Sequence, residues 1–151
     1  MALDAWVRLL QAHAATTRAL SGSLLAEHGL TINGYEALMR LARADEGRMR
    51  RVDLSEELLL TASGITRLLD GLEAAGYVDR AACSSDRRVV YAVITDAGRD
   101  KLEEASGSHL AEVRALFEER FGADELNQLA DLLGRLPGAE GAVGEDCNIN
   151  S

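Results

Sequence analysis

Along residues 3–28 the hydrophobic positions recur every three or four residues. Leu3, Val7, Leu10, Ala14, Leu20 and Leu24, with Thr17 among them, fall on one stripe and predict a long amphipathic helix. Gly29 is a natural stop in a left-handed cap. Thr31 then caps a second helix to about Arg43, with Tyr35, Leu38, Met39 and Ala42 facing inward. Residues 44–52 are polar, contain Gly47 and read as a loop, with one short strand expected over Met49–Val52. A brief apolar-periodic segment over Ser55–Leu60 leads to Thr61, the N-cap of a helix to about Ala75. Ile65, Leu68, Leu69 and Leu72 give that helix its buried face, and Gly76 ends it.

The period then changes from helical to alternating. Tyr77 and Val78 open a strand, Val89, Tyr91 and Val93 alternate in a second, and Ser84-Ser85-Asp86 supply the turn between them. Thr95 caps the next helix, whose first turn carries Asp96 and which should run to Phe121. After Gly122 a last helix is expected over Asp124–Leu136, with Leu126, Leu129, Leu132, Leu133 and Leu136 as its stripe and Pro137-Gly138 as its stop. Residues 138–151, rich in glycine and acids, read as a disordered tail. The pattern predicts a mainly α chain with a small β-hairpin.

Composition narrows the class. Apolar residues make up 47% of the 151 positions but aromatics only 4%, which favours a Leu- and Ala-rich helical core over a sandwich, as does the single proline, Pro137. Cys83 and Cys147 form no CxxC or Cys/His cluster, so a reducing compartment is expected rather than a disulfide scaffold. The opening MALDAWVRLLQ has an early acid and no basic leader, so no signal peptide is expected. No apolar run approaches the ~18 residues of a membrane span. A cytoplasmic protein with no membrane partner is the expectation.

A net charge of −9 argues at first against nucleic acid. Its distribution changes the picture. Residues 1–47 carry four bases and five acids, residues 48–101 nine of each, and residues 102–151 three bases and eleven acids. Over residues 80–95 the balance is +2, from Arg80, Arg87 and Arg88 against Asp86. The field at the docking face, not the total, governs phosphate contact.

A helix entering a major groove is read through its first residues and outward face, here Thr61, Ala62, Ser63, Thr66, Arg67 and Asp70. Hydroxyls can meet phosphates or base edges, and Arg67 can make a two-pronged contact with guanine or clamp a phosphate. Ser63 and Gly64 would let the backbone approach closely. At the hairpin tip, Arg88 can enter a minor groove where negative potential concentrates, Asp86 can hold its guanidinium, and Arg87 can meet the backbone. The plain alternative is a solvated helix face and a charged turn.

The ordered string resembles the MarR family of winged-helix transcription regulators. SGITRLLDGLEAAGYVDR is similar to that family's recognition helix and following strand. DRRVVYAVITDAG is similar to its wing, and GLTINGYEALMRLA to its second helix; the resemblance covers roughly residues 3–136. It implies a winged helix-turn-helix DNA-binding region over 31–96 and a helical dimerisation region from 1–30 and 97–137. It further implies a homodimer on a pseudo-palindromic duplex operator, and a repressor released by a small, commonly aromatic or phenolic, anion. Trp6, His13 and Tyr35 could line the cleft for that ligand, with plain packing as the alternative. One branch of the family senses oxidants through a first-helix cysteine, which this chain lacks. Cys83, near Arg80 and Arg87 at the wing base, offers a different redox reading.

No cofactor or metal is expected, since His13, His28 and His109 are isolated in sequence. Neither is an enzyme. The chain has no glycine-rich phosphate loop and no ordered triad, and Glu103-Glu104 are adjacent on a helix and cannot converge. The acidic total leaves a winged-helix protein-interaction module as the reading from another class.

Overall fold

The computed structural model describes residues 1–139, and the chain divides after His109 into two compact units. Its elements in order are α1 (Ala2–His28), α2 (Ile32–Arg43), a 3-10 turn (Asp45–Gly47), β1 (Arg48–Arg50), α3 (Arg51–Glu57) and α4 (Ala62–Ala74). They continue as β2 (Val78–Ala82), β3 (Val90–Ile94), α5 (Asp96–Glu118) and α6 (Ala123–Leu133). Helices dominate, and the strands form one antiparallel sheet in the order β1-β3-β2. The fold is a winged helix-turn-helix with flanking helices.

Local chemistry sets the boundaries. The Thr31 and Thr61 side chains accept from the Gly34 and Gly64 N–H groups at 3.0 and 3.1 Å, satisfying donors that α2 and α4 leave orphaned. Thr95 does the same for Gly98 at 3.0 Å and also donates to the Gly76 carbonyl at 2.7 Å, tying the start of α5 to the end of α4. Gly29 closes α1 at φ 68°. Gly76 closes α4 at φ 81°, with the Tyr77 N–H reaching back to the Leu72 carbonyl.

The helix-turn-helix region differs in detail from the sequence expectation. The polar run 44–52 contains β1, which is Arg48–Arg50 rather than Met49–Val52. It pairs with β3 through Arg48↔Val93 and Arg50↔Tyr91, so the hairpin becomes a three-stranded sheet. The short helix starts at Arg51 and ends at Glu57, so the apolar-periodic segment Ser55–Leu60 is only partly helical. Its C-terminus is a further left-handed cap, made by Leu59 at φ 54°, with the Leu60 N–H donating to the Ser55 carbonyl at 2.9 Å. A leucine there gave no glycine signal to mark the stop.

The core lies within residues 24–105. Leu24, Leu38, Leu41, Leu54, Ile65, Leu69 and Val78 are fully enclosed, and Leu102 and Ala105 of α5 join them. Of the α1 stripe only Leu24 is buried. Leu3, Trp6, Val7 and Leu10 are 78, 56, 45 and 48% exposed. α6 buries no residue and ends at Leu133, before Pro137, with the Gly134 N–H bonded to the Ala130 carbonyl at 2.9 Å. α5 stops at Glu118 rather than Phe121. Beyond residues 138 and 139, the expected disordered tail and Cys147 lie outside the described residues.

Candidate nucleic-acid interface

α4 presents one buried and one exposed face. Ile65, Leu69 and Leu72 anchor it, while Ala62, Ser63, Arg67 and Asp70 are exposed and Thr66 is half-buried. Arg67 makes no hydrogen bond or ion pair with any described residue. The hydroxyls are partly spent. Thr61 holds the cap and lies 3.2 Å from the Ser63 hydroxyl, and Thr66 donates to the Ala62 carbonyl at 2.9 Å, its oxygen remaining an acceptor. Gly64 sits against the helix cap. A Cβ there would lie 3.1 Å from Thr61 Oγ1, a tight fit against the cap.

Asp70 and Arg80 depart from the sequence reading. Arg80 of β2 bonds Asp70 and, at 2.7 Å, Glu73, both on α4. Neither is a free reading group; together they pin the base of the hairpin to the helix. The three-residue spacing of Asp70 and Glu73 puts both carboxylates on one face, a signal that was available in the sequence.

At the tip, Asp86 Oδ1 accepts from the Arg88 backbone N–H at 3.0 Å and from Nε at 3.2 Å, and Oδ2 lies 3.4 Å from Nη2. The Arg88 side chain is 92% exposed, so Asp86 orients it without covering it. Donation from the Arg88 side chain, then from its backbone N–H, holds the Asp86 carboxyl below its usual value. Arg87 is exposed beside it.

Cys83 is free and half-buried, 3.1 Å from the Ser85 hydroxyl. Its thiol is held below the ordinary value by the Ser85 side chain first, then by backbone hydrogen bonding at Ser85 and Asp86. The expected cause, Arg80 and Arg87, is not what acts.

The three candidate ligand residues differ in exposure. Tyr35 is 4% exposed, bonds the Ser106 hydroxyl at 3.0 Å and packs on His109 at 4.6 Å between ring centroids. Trp6 and His13 are exposed on α1. A burial rule applied to α1 as to a core helix could not separate them. A groove of about 500 Å³ lies against α4, lined by Leu30, Leu60, Leu68, Leu72 and Tyr77 together with Arg67. Among the described residues, no group of His, Cys, Asp and Glu could hold a metal ion, and no helix is long and apolar enough to cross a membrane.

The sequence model of the MarR family matches residues 28–89. The HTH-type transcriptional repressor YetL of Bacillus subtilis is 30% identical over 111 residues, covering 74% of this chain and 66% of that protein. AbsC, a MarR family transcriptional regulator from Streptomyces coelicolor, is 31% identical, with TM-score 0.78 and coverage of 87% of this chain and 88% of that one. Sco3205, a MarR family regulator from the same organism solved in complex with DNA, is 26% identical, with TM-score 0.79 over 85% and 81%. With this identity and coverage on the same fold, the chain belongs to the MarR family of winged-helix transcriptional regulators.

Proposed function

We propose that the protein is a homodimeric repressor that grips a pseudo-palindromic duplex with two copies of the winged helix and releases it on binding a small ligand. One observation carries the DNA reading. In a chain of net charge −9, Arg67 on the exposed face of α4 has no partner among the described residues, and Arg88 stands oriented but uncovered at the wing tip. Ser63, Thr66 and Arg67 would meet the major groove, Arg88 the minor groove and Arg87 the flanking phosphates. Thr61 and Asp86 would act by positioning the helix start and the Arg88 guanidinium. Sco3205, which shares the fold, was solved on DNA.

The dimer reading rests on unspent apolar surface. The exposed Leu3, Trp6, Val7 and Leu10 of α1, and Leu132 and Leu133 of an α6 that buries nothing, need a partner. Residues 1–30 and 97–137 would supply the contacts between copies, and 31–96 those to DNA. A two-fold axis then sets half-sites about one helical turn apart.

Footprinting on DNA flanking the gene, followed by anisotropy titration of the protected duplex, tests the reading. Arg88→Ala should weaken binding by roughly tenfold or more, from loss of a charge-assisted contact, and leave the mass in solution unchanged. An affinity equal to that of the native protein would remove Arg88 from the interface. Absence of any protected duplex would sink the DNA reading.

A further inference from the structure

Asp70 follows Arg67 by three residues on α4, a spacing that sets the two side chains about 5–6 Å apart at Cβ. A carboxylate there is within reach of the Arg67 guanidinium. The two do not pair. Arg67 makes no ion pair with any described residue, and Asp70 is taken by Arg80 of β2. Glu73, the other acid of α4, lies six residues from Arg67 and too far round the helix to compete.

The local fold delivers Arg80 to that carboxylate. Past the end of α4 the Tyr77 N–H bonds the Leu72 carbonyl at 2.9 Å, and the chain returns as β2 with Arg80 opposite Ala92 of β3. The Arg80 fork spans two acids: Nη2 meets Asp70 Oδ1, and Nε meets Glu73 Oε2 at 2.7 Å. Glu73 already holds the guanidinium, so its second pair, with Asp70, immobilises little more. The Arg80 side chain is 31% exposed and that of Asp70 61%. Asp70 is therefore the looser member, able to turn toward Arg67 once Arg80 is gone. We propose that Arg80 is a positioning residue for the duplex: by occupying Asp70 it leaves the Arg67 guanidinium uncommitted and neutralises the acid beside it. The effect on DNA rests on the reading above, whereas the choice of partner by Asp70 does not.

That choice is read without DNA, by NMR of the arginine Nε–H groups in the full chain. In the native protein the Arg80 Nε–H should exchange slowly with water and the Arg67 Nε–H rapidly. Arg80→Met keeps the stem and removes the guanidinium; it should slow exchange at Arg67, and adding Asp70→Asn should restore it. A slow Arg67 Nε–H in the native protein overturns the proposal without any variant. Unaltered Arg67 exchange in Arg80→Met, shown by thermal melting to be folded, overturns it as well. The second measurement is anisotropy on a duplex selected from a random pool. Arg80→Met should weaken binding about two- to fivefold in the native background, the range of an exposed ion pair, and clearly less in an Asp70→Asn background. Equal losses in the two backgrounds overturn the route through Asp70, and no loss in either removes Arg80 from positioning. If the native protein binds no duplex, the DNA reading fails and the positioning role with it, while the exchange rates still decide the partner of Asp70.

Discussion

Arg88 and Arg80 show how little a residue type says about role until its neighbours are known. Both are arginines of the basic tip as read from sequence. Arg80 is consumed by Asp70 and Glu73, whereas Arg88 is aimed by Asp86 and left 92% exposed. Asp86 should therefore titrate below an ordinary aspartate. Its folded value is depressed, so its contribution to wing order is present above the unfolded value and lost as pH falls through the folded one. NMR of the Asp86 side-chain carboxyl should give a midpoint below the usual carboxylate range that moves up in Arg88→Ala; an unmoved midpoint would assign the depression elsewhere. Between pH 5 and 8, about a unit or more above the ordinary aspartate value, the clamp should be indifferent to pH. Cys83 should react with iodoacetamide with a pH midpoint below that of a free thiol, and Ser85→Ala should raise it, because Ser85 supplies the largest cause. That pattern leaves Arg80 and Arg87 out of its chemistry.

At the scale of elements, α3 and α4 are joined by a leucine doing what glycine does elsewhere in this chain. Gly76 and Leu59 both close helices in the left-handed region, at φ 81° and 54°. Leu59 is 91% exposed, so it gains little packing in return. Leu59→Gly should stabilise the fold by about 1 kcal/mol in urea unfolding, through relief of left-handed strain. A loss of stability would show that the Leu59 side chain makes contacts in solution that offset the strain. Gly98 predicts the opposite sign. A Cβ there would collide with the Tyr77 carbonyl and come within 2.9 Å of Ile94 Cγ1. Gly98→Ala should destabilise by about 1–3 kcal/mol, as overpacking does, and disturb the wing because Tyr77 precedes β2. The helices were legible because Thr31, Thr61 and Thr95 announce their starts with a chemistry that needs no distant partner. β1 was blurred because three residues are too few to show alternation, and its pairing with β3 spans more than forty positions.

For the whole molecule, the proposed dimer rests on the exposed apolar residues of α1 and α6. Sedimentation equilibrium should give twice the chain mass, and Leu132→Glu with Leu133→Glu should shift it toward one chain and weaken DNA binding. A native protein at single-chain mass would remove the shared dimer from the proposal. DNA affinity should fall with added salt, at a log–log slope of about −0.9 for each phosphate neutralised. Overall acidity does not oppose this, since eleven acids lie in residues 102–151, outside the segment that carries Arg67 and Arg88.

By itself the sequence determined the helical class, most helix starts, the hairpin and the basic character of its tip. Those follow from short-range rules: a 3.6-residue period, a cap within three residues, a two-residue alternation. The tertiary structure decided which of these groups are free. Tyr35 is buried while Trp6 and His13 are exposed, ion pairing withdrew Arg80 and Asp70, and a groove lined by Arg67, Gly71 and Ala75 formed against α4. Burial and pairing depend on residues brought together from distant parts of the chain. No window along the sequence contains them.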